Sequence, residues 1–304
     1  MKKTTATLPV NTLPLEVRDS ISTLLGRTFK EPVQTGDFKI VAGGCINHGG
    51  VINSSVGSFF VKWNDVHSNP DMFSTEGSGL LTLRNTNIVR VPNVIGTGYT
   101  DHYQFIVLEN LVGKPASDQF WHLLGTQLAG IHATTAAAFG LDHDNYIGSL
   151  RQVNTPSNSW ISFFINERLG RQLMLAEQNG MADFTHRKRF DLLFEKLPSL
   201  LPVGTPSLLH GDLWGGNVIT DEAGHPALID PAVYYGDAEI EIAYTRLFGG
   251  FDQKFYDAYF ALRPMQSGFE DRAAIYNLYP LLVHANLFGR KYLLLIDEIL
   301  NRFV

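Results

Sequence analysis

Apolar positions at Leu15, Val17, Ile21 and Leu24/Leu25 recur at helical spacing and predict an amphipathic helix over 14–25. From 37 to 64 the texture changes to strands, expected over 38–41, 51–53 and 59–63, with a glycine-rich turn after the first. Asn69-Pro70-Asp71 is a helix start signal, and Met72, Phe73, Leu80 and Leu83 follow at helical spacing. Gly77 and Gly79 weaken that helix by roughly 1 kcal/mol each relative to Ala, so docking must stabilise it. Two more strands are expected near 94–99 and 105–108. Beyond the connector Glu109-Asn110-Leu111-Val112-Gly113 the pattern is mainly helical, over 118–133, 158–178, 183–197, 238–248, 252–262 and 271–298. The expected class is therefore α+β, with a strand-rich N-terminal lobe over 1–112 and a larger helical C-terminal lobe over 113–304. A cleft between two such halves is a common place for a ligand.

Composition narrows the function. The 304 residues are 44% hydrophobic and 18% charged, an ordinary globular balance. A net charge of −6 disfavours a general binder of nucleic acid or of anionic membranes. The single cysteine, Cys45, excludes an intramolecular disulfide framework and a cysteine-based zinc site. Met1-Lys2-Lys3 imitates the start of a signal peptide, but no apolar segment follows it. The late apolar run from Leu293 to Ile296 is far too short for a bilayer. A soluble, cytoplasmic protein is expected.

The chemistry concentrates in His210-Gly211-Asp212-Leu213-Trp214-Gly215-Gly216-Asn217. An apolar approach (Leu208, Leu209) leads into this loop, and short strands at 218–220 and 227–229 flank the turn Asp221–His225. If they pair, Asn217 and Asp230 sit side by side at the open end of a hairpin, close to Asp212. Two carboxylates and an amide carbonyl are hard ligands of the kind Mg²⁺ takes while keeping waters and phosphates. Asp212, not needed for the metal, can orient and deprotonate a hydroxyl, which is the division of labour phosphoryl transfer requires. Singly, each residue is as well explained by loop stabilisation. Jointly, His-Gly-Asp-x-x-x-x-Asn arises by chance in such a chain on the order of once per thousand. In the first lobe Lys62 ends the apolar run Phe59-Phe60-Val61, and a buried ammonium demands a counter-charge, for which Glu76 is the natural choice. The pair would hold Lys62 toward the phosphates of ATP; an edge-strand surface lysine is the competing explanation. Gly43-Gly44-Cys45-Ile46-Asn47 with Gly49-Gly50 makes a turn whose backbone could lie over phosphates, a weak signal alone.

These residues resemble the fructosamine (ketosamine) kinases, relatives of the aminoglycoside and choline kinases. The resemblance rests on His210–Asn217, on Asp-Pro-Ala-Val-Tyr-Tyr-Gly-Asp at 230–237, and on Leu-Phe-Gly-Gly-Phe at 247–251. It extends to Gly-Gly-Cys-Ile-Asn-His at 43–48, Phe-Val-Lys at 60–62, Asp144–Gly148, Arg168-Leu169-Gly170 with Gln172, and Leu282-Val283-His284 with Asn286–Gly289. It implies a bilobal, protein-kinase-like fold and ATP-dependent, Mg²⁺-assisted phosphorylation of the 3-hydroxyl of a ketosamine. The amine carrier would be free or part of a peptide or protein, and the phosphorylated adduct is labile, so the implied role is deglycation. On the same grounds Asp212 would be the base, Asn217 and Asp230 the Mg²⁺ ligands, and Lys62 and Glu76 the phosphate-orienting pair. Glu109 and Leu111 would offer backbone groups to adenine. Three positions depart from the family pattern: Gly215 where serine is usual, Ala238 where a basic residue is common, and Glu241 where aspartate is common.

Trp214 can cover the apolar face of a sugar, with core packing as its competing role. His284 is a second substrate candidate, and a structural histidine is the alternative. His210 is expected to fasten the loop rather than transfer protons. Cys45, in the glycine-rich turn near Lys62, is a candidate for reversible oxidation that slows the enzyme and that ATP prevents. Two other functions remain open: a kinase of another small hydroxylated molecule (amino sugar, aminoglycoside or choline-like alcohol), and a nucleotide-binding pseudokinase. The latter should have lost one of Lys62, Asp212, Asn217 or Asp230, and all four are present.

Overall fold

The computed structural model describes residues 12–41 and 47–304, which form two compact units, the first holding the described residues up to 81 together with 92–112. Gly43, Gly44 and Cys45 lie outside the described residues.

In the first unit α1 (Leu15–Phe29) starts after Pro14 and ends at Lys30, whose φ of 60° closes it. Its Val17, Ile21 and Leu25, four residues apart, are fully buried. They pack with Ile52, Phe59, Val61, Trp63, Phe105 and Val107 in one apolar cluster. Strands β1 (Thr35–Ile40), β2 (His48–Ser54), β3 (Gly57–Asp65), β4 (Val94–Tyr99) and β5 (Tyr103–Glu109) form an antiparallel sheet ordered β1-β2-β3-β5-β4. Helix α2 (Met72–Asn85) lies between β3 and β4 in sequence. Because side chains alternate along a strand, Phe59, Val61 and Trp63 face the α1 cluster and Lys62 faces the other way.

The second unit comprises residues 82–91 and 113–304. Residues 82–91 go with it because Arg90 bridges Ala227 and its carbonyl accepts from Leu228 N at 2.9 Å. Helix α3 (Phe120–Ala133) packs on a later helix, and two short hairpin strands, β6 (Asn145–Ile147) and β7 (Leu150–Gln152), follow. The single helix expected over 158–178 is three pieces: α4 (Trp160–Phe163), a π-helical turn (Phe164–Leu169) and α5 (Gly170–Gln178). After α6 (Phe184–Leu200), β8 (Ser207–Leu209) leads into the candidate loop, and β9 (Val218–Thr220) pairs antiparallel with β10 (Pro226–Leu228). Then β11 (Tyr234–Gly236) returns to pair with β8. Helices α7 (Ala238–Leu247), α8 (Gln253–Leu262), α9 (Phe269–Phe288) and α10 (Leu293–Phe303) complete the unit, with α8 against α3 and α7 and α10 against α9. The helix expected over 271–298 is interrupted at Gly289, where φ is 96°, so His284 sits on the penultimate helix and not the last. No helix among the described residues is long and apolar enough to cross a membrane.

Candidate active site

In the first unit Lys62 Nζ lies 2.7 Å from Glu76 Oε1, and Lys62 is only 8% exposed. The ammonium that β3 turns away from the apolar cluster thus meets the carboxylate of α2, so the edge-lysine explanation falls. Gly49 and Gly50 sit opposite Lys62 and Val61 in the β2–β3 register. Asn47, where the described chain resumes, accepts from Asn64 Nδ2 at 2.8 Å. At the end of β5, Glu109 N donates to Asn93 O at 2.8 Å, and its carboxylate accepts from Asn93 N at 3.0 Å. Leu111 lies half-buried two residues on.

In the second unit the strand pairings bring the loop ends together. Residues 210–217 run from the end of β8 to the start of β9, and Asp230 lies between β10 and β11, the partners of those strands. Ile229 N donates to Asn217 O at 3.1 Å, which extends the hairpin by one pair and sets Asp230 at its open end. Asp212 is held on both oxygens: Tyr244 Oη donates to Oδ1 at 3.1 Å and Asn217 Nδ2 to Oδ2 at 3.0 Å. The same Nδ2 also donates to Asp212 O at 2.8 Å. Gly211 is obligatory here. Its φ is 85°, and a Cβ would lie 2.0 Å from Ala232 O.

Burial raises the Asp212 pKa to about 7, against the hydrogen bonds of Tyr244 and Asn217; Asp230 and Glu241 add to the rise. The Tyr244 phenol is itself pushed well up by burial and by Asp212, so it stays protonated and donates. His210 is buried, which lowers its pKa and keeps the ring neutral. Its Nε2–H donates to Ile229 O at 2.9 Å, leaving Nδ1 to accept from Asp212 N at 3.3 Å. The ring therefore fastens one loop to the other, as expected.

Glu241 is more than a departure from a pattern. Its carboxylate accepts from His210 N at 3.0 Å, Gly211 N at 2.6 Å and His132 Nε2 at 3.0 Å. Burial works against ionisation, but His132 and the Gly211 N–H outweigh it and hold the carboxyl below its ordinary pKa. The Tyr259 hydroxyl, 2.8 Å away, donates to His132 Nδ1, and burial keeps that ring neutral. Neither Tyr244 nor His132 was among the expected site residues. The available signal was in α7: Glu241 and Tyr244 stand three apart, amid Ile240, Ile242 and Ala243, and so share the buried face. At Gly215 a Cβ would meet nothing closer than 3.9 Å, so the usual serine would fit. Ala238 is buried in the first turn of α7, and nothing there calls for a base.

Trp214 is 41% exposed, which removes the core-packing role, and its indole covers Gly216. His284 is half-buried, with ring centroids 4.8 Å from Phe248, 5.2 Å from Tyr292 and 5.5 Å from Phe288. Its Nδ1 lies 2.7 Å from Pro280 O and must donate to that carbonyl. Burial lowers its pKa, so Nε2 carries a lone pair. Tyr234 and Tyr235 lie in β11, opposite Leu209 and Leu208 of β8. Among the described residues no group of three or more His, Cys, Asp and Glu side chains could hold a metal ion by itself. Asn217 turns its NH₂ to Asp212 and so points its carbonyl oxygen the other way, and the Asp230 carboxylate stands at the open end of the same hairpin; both are hard oxygen donors. Two such ligands fit Mg²⁺ shared with substrate phosphates and water, not an all-protein cage.

A family model described as fructosamine kinase matches residues 17–304. A Synechocystis protein named as a probable ketoamine kinase is 37% identical over 279 residues, covering 90% of this chain and 92% of its own. The chloroplastic protein-ribulosamine 3-kinase of Arabidopsis thaliana is 38% identical over 255 residues, 83% of this chain and 78% of that one. Among solved structures, that of a provisionally named fructosamine-3-kinase from Haemophilus somnus 129PT superposes with a TM-score of 0.85 at 29% identity, covering 93% and 96% of the two chains. The fold is thereby protein-kinase-like and the activity class that of a phosphotransferase. By its matched length, its loops and its fold, the chain belongs to the fructosamine kinase family.

Proposed function

We propose that this protein transfers the γ-phosphoryl group of ATP to the 3-hydroxyl of a ketosamine, the sugar adduct of a free or protein-bound amine. The observation that carries this is Asp212, a buried carboxylate held on both oxygens and poised near neutrality. An Asp212 oxygen takes the proton of the substrate hydroxyl while the hydroxyl oxygen bonds to the γ-phosphorus and the bond from that phosphorus to the β–γ bridging oxygen breaks, releasing ADP. Asn217 Oδ1 and the Asp230 carboxylate would hold Mg²⁺, which when bound offsets the charge on the phosphates. Lys62, steadied by Glu76, is assigned to the nucleotide phosphates, and the Glu109 carbonyl and Leu111 backbone to adenine. The exposed indole of Trp214 would cover the apolar sugar face, and His284 Nε2 would accept from a sugar hydroxyl. The names of the relatives, one acting on ribulosamines and one on ketoamines, support this substrate class.

With phosphate on O3, enolisation between C1 and C2 lets the adduct expel phosphate and then release the amine by hydrolysis, so the role is repair of glycated amines. ADP release by the purified protein, with Mg²⁺-ATP and fructose-, ribulose- and erythrulose-amine adducts, tests the reading. Turnover with at least one adduct, lost in Asp212→Asn, is expected. ADP formation that no ketosamine stimulates would overturn it.

A further inference from the structure

Asp230 stands at φ +56°, a left-handed conformation uncommon for a residue with a side chain, so its neighbours must hold it there. On its N-terminal side Ile229 is tied to Asn217 and His210. On its C-terminal side Pro231 has no N–H, and the hold falls to Ala232 and Val233. Ala232 N donates to His210 O at 2.9 Å. Ala232 O lies where a Cβ of Gly211 would be, and it accepts from Gln152 Nε2 at 3.0 Å. Val233 O accepts from Asn145 Nδ2 at 2.8 Å. The Ala232 peptide thus touches the loop of Asp212 and the loop of Asp230 together.

Both amide donors belong to a buried chain whose polarity is set from its far end. Arg168 has only donors; its Nη2 gives to Asn154 Oδ1 at 2.7 Å and Nη1 to Val153 O at 2.7 Å. That fixes the Asn154 amide so that Nδ2 gives to Asn145 Oδ1 at 3.0 Å, and Asn145 must then turn its NH₂ to Val233. Tyr279 Oη gives to Gln152 Oε1 at 2.7 Å, so Gln152 Nε2 is left to serve Asn145 Oδ1, at 2.8 Å, and Ala232 O. Arg168 itself is fully buried in the π-helical turn, its guanidinium 3.9 Å from the Tyr234 ring centroid and 4.5 Å from that of Phe163. Gly170 permits that turn, since a Cβ there would lie 2.8 Å from Ile165 O. Among the described residues Arg168 Nε has no acceptor, so an apolar filling of this space would be the cheaper way to stabilise the fold.

We propose that Gln152 and Asn145, oriented by Arg168 and Tyr279, are positioning residues that fix the backbone after Asp230 and so set the affinity for the metal it ligates. The inference rests on Asp230 being that ligand. Mg²⁺ titrations of ATP binding, read by calorimetry on folded protein, test it without turnover. Gln152→Glu keeps the size but turns an acceptor toward Ala232 O and Asn145 Oδ1. It should raise the Mg²⁺ needed for half-maximal binding by about tenfold, the usual scale for an outer-shell partner, while ATP affinity in EDTA stays unchanged. Tyr279→Phe removes one hydroxyl and should shift the requirement in the same direction by a smaller factor; it decides the matter if the glutamate variant does not fold. If Asp230→Ala raises the requirement and neither of these variants does, the positioning role is overturned. If Asp230→Ala leaves it unchanged, the metal assignment falls and this inference falls with it.

Discussion

Tyr244 Oη donates to Asp212 Oδ1 across 3.1 Å, from a phenol that burial prevents from ionising. The bond stabilises the carboxylate form and opposes the burial that brings Asp212 to about 7. Only the ionised form accepts a proton, so kcat/KM for the sugar substrate should rise with pH through the neutral range and level off above it. Tyr244→Phe removes the donor, raises the Asp212 pKa further and should move this limb to higher pH by about one unit. Superimposable profiles of the two proteins would show that the limb belongs to another group.

Asp212→Asn keeps the shape of the side chain and removes its basicity. ATP binding should persist while kcat falls by about 10²–10⁴, the usual range for loss of a general base. Single-turnover measurements separate the two effects, and a kcat within a few-fold of the parent would exclude the role.

Among the described residues Glu241 is the acceptor for three donors at the base of the loop: His210 N, Gly211 N and His132 Nε2. Truncation strands them in a buried space, so Glu241→Ala should cost about 2–4 kcal/mol in urea denaturation. Glu241→Gln keeps one acceptor oxygen and should lose less. Equal stability of Glu241→Ala and the parent would mean that water or another group satisfies the loop.

These relationships show what the chain makes legible before it is folded. Long, strongly periodic segments such as α1 and α3 lie where the spacing predicts, because one buried stripe dictates them. The hairpin that brings Asn217 and Asp230 together was readable from its turn, where Asp221 Oδ1 accepts from Ala223 N and His225 N. Strands β6, β7, β8 and β11 were not, since three residues carry no period and tertiary pairing alone defines them. The π-helical turn escaped for a related reason: its apolar spacing passes for α-helix, and only the close approach of Gly170 to Ile165 O marks it. The Lys62–Glu76 pair followed from charge burial. The supports of Asp212 did not, because α7, with Glu241 and Tyr244, and α3, with His132, lie far apart in sequence.

Asp237 caps α7 by accepting from Glu239 N at 2.9 Å; burial raises its pKa to about 6 against that bond, Arg263 and Arg272, and the charge of Glu239 adds to the rise. The folded state therefore holds a proton that the unfolded chain, near 3.9, has already released. Stability falls as pH rises from about 4 through 6, because the folded state binds more protons in that window. Asn keeps the capping oxygen without the charge. Asp237→Asn should be more stable than the parent above pH 7 by about 1–3 kcal/mol, with the advantage vanishing below pH 4. A destabilised variant at pH 8 would show that the carboxylate is favoured where it stands.

Phosphorus–proton correlation NMR of the product formed from Mg²⁺-ATP and a ribulose or fructose adduct of an acetylated lysine tests the proposed chemistry most directly. The phosphorus should couple to the proton on C3 of the sugar, and the amine should then be released on standing. Coupling to a different carbon position, or an adduct recovered unphosphorylated while ATP is consumed, would contradict the account.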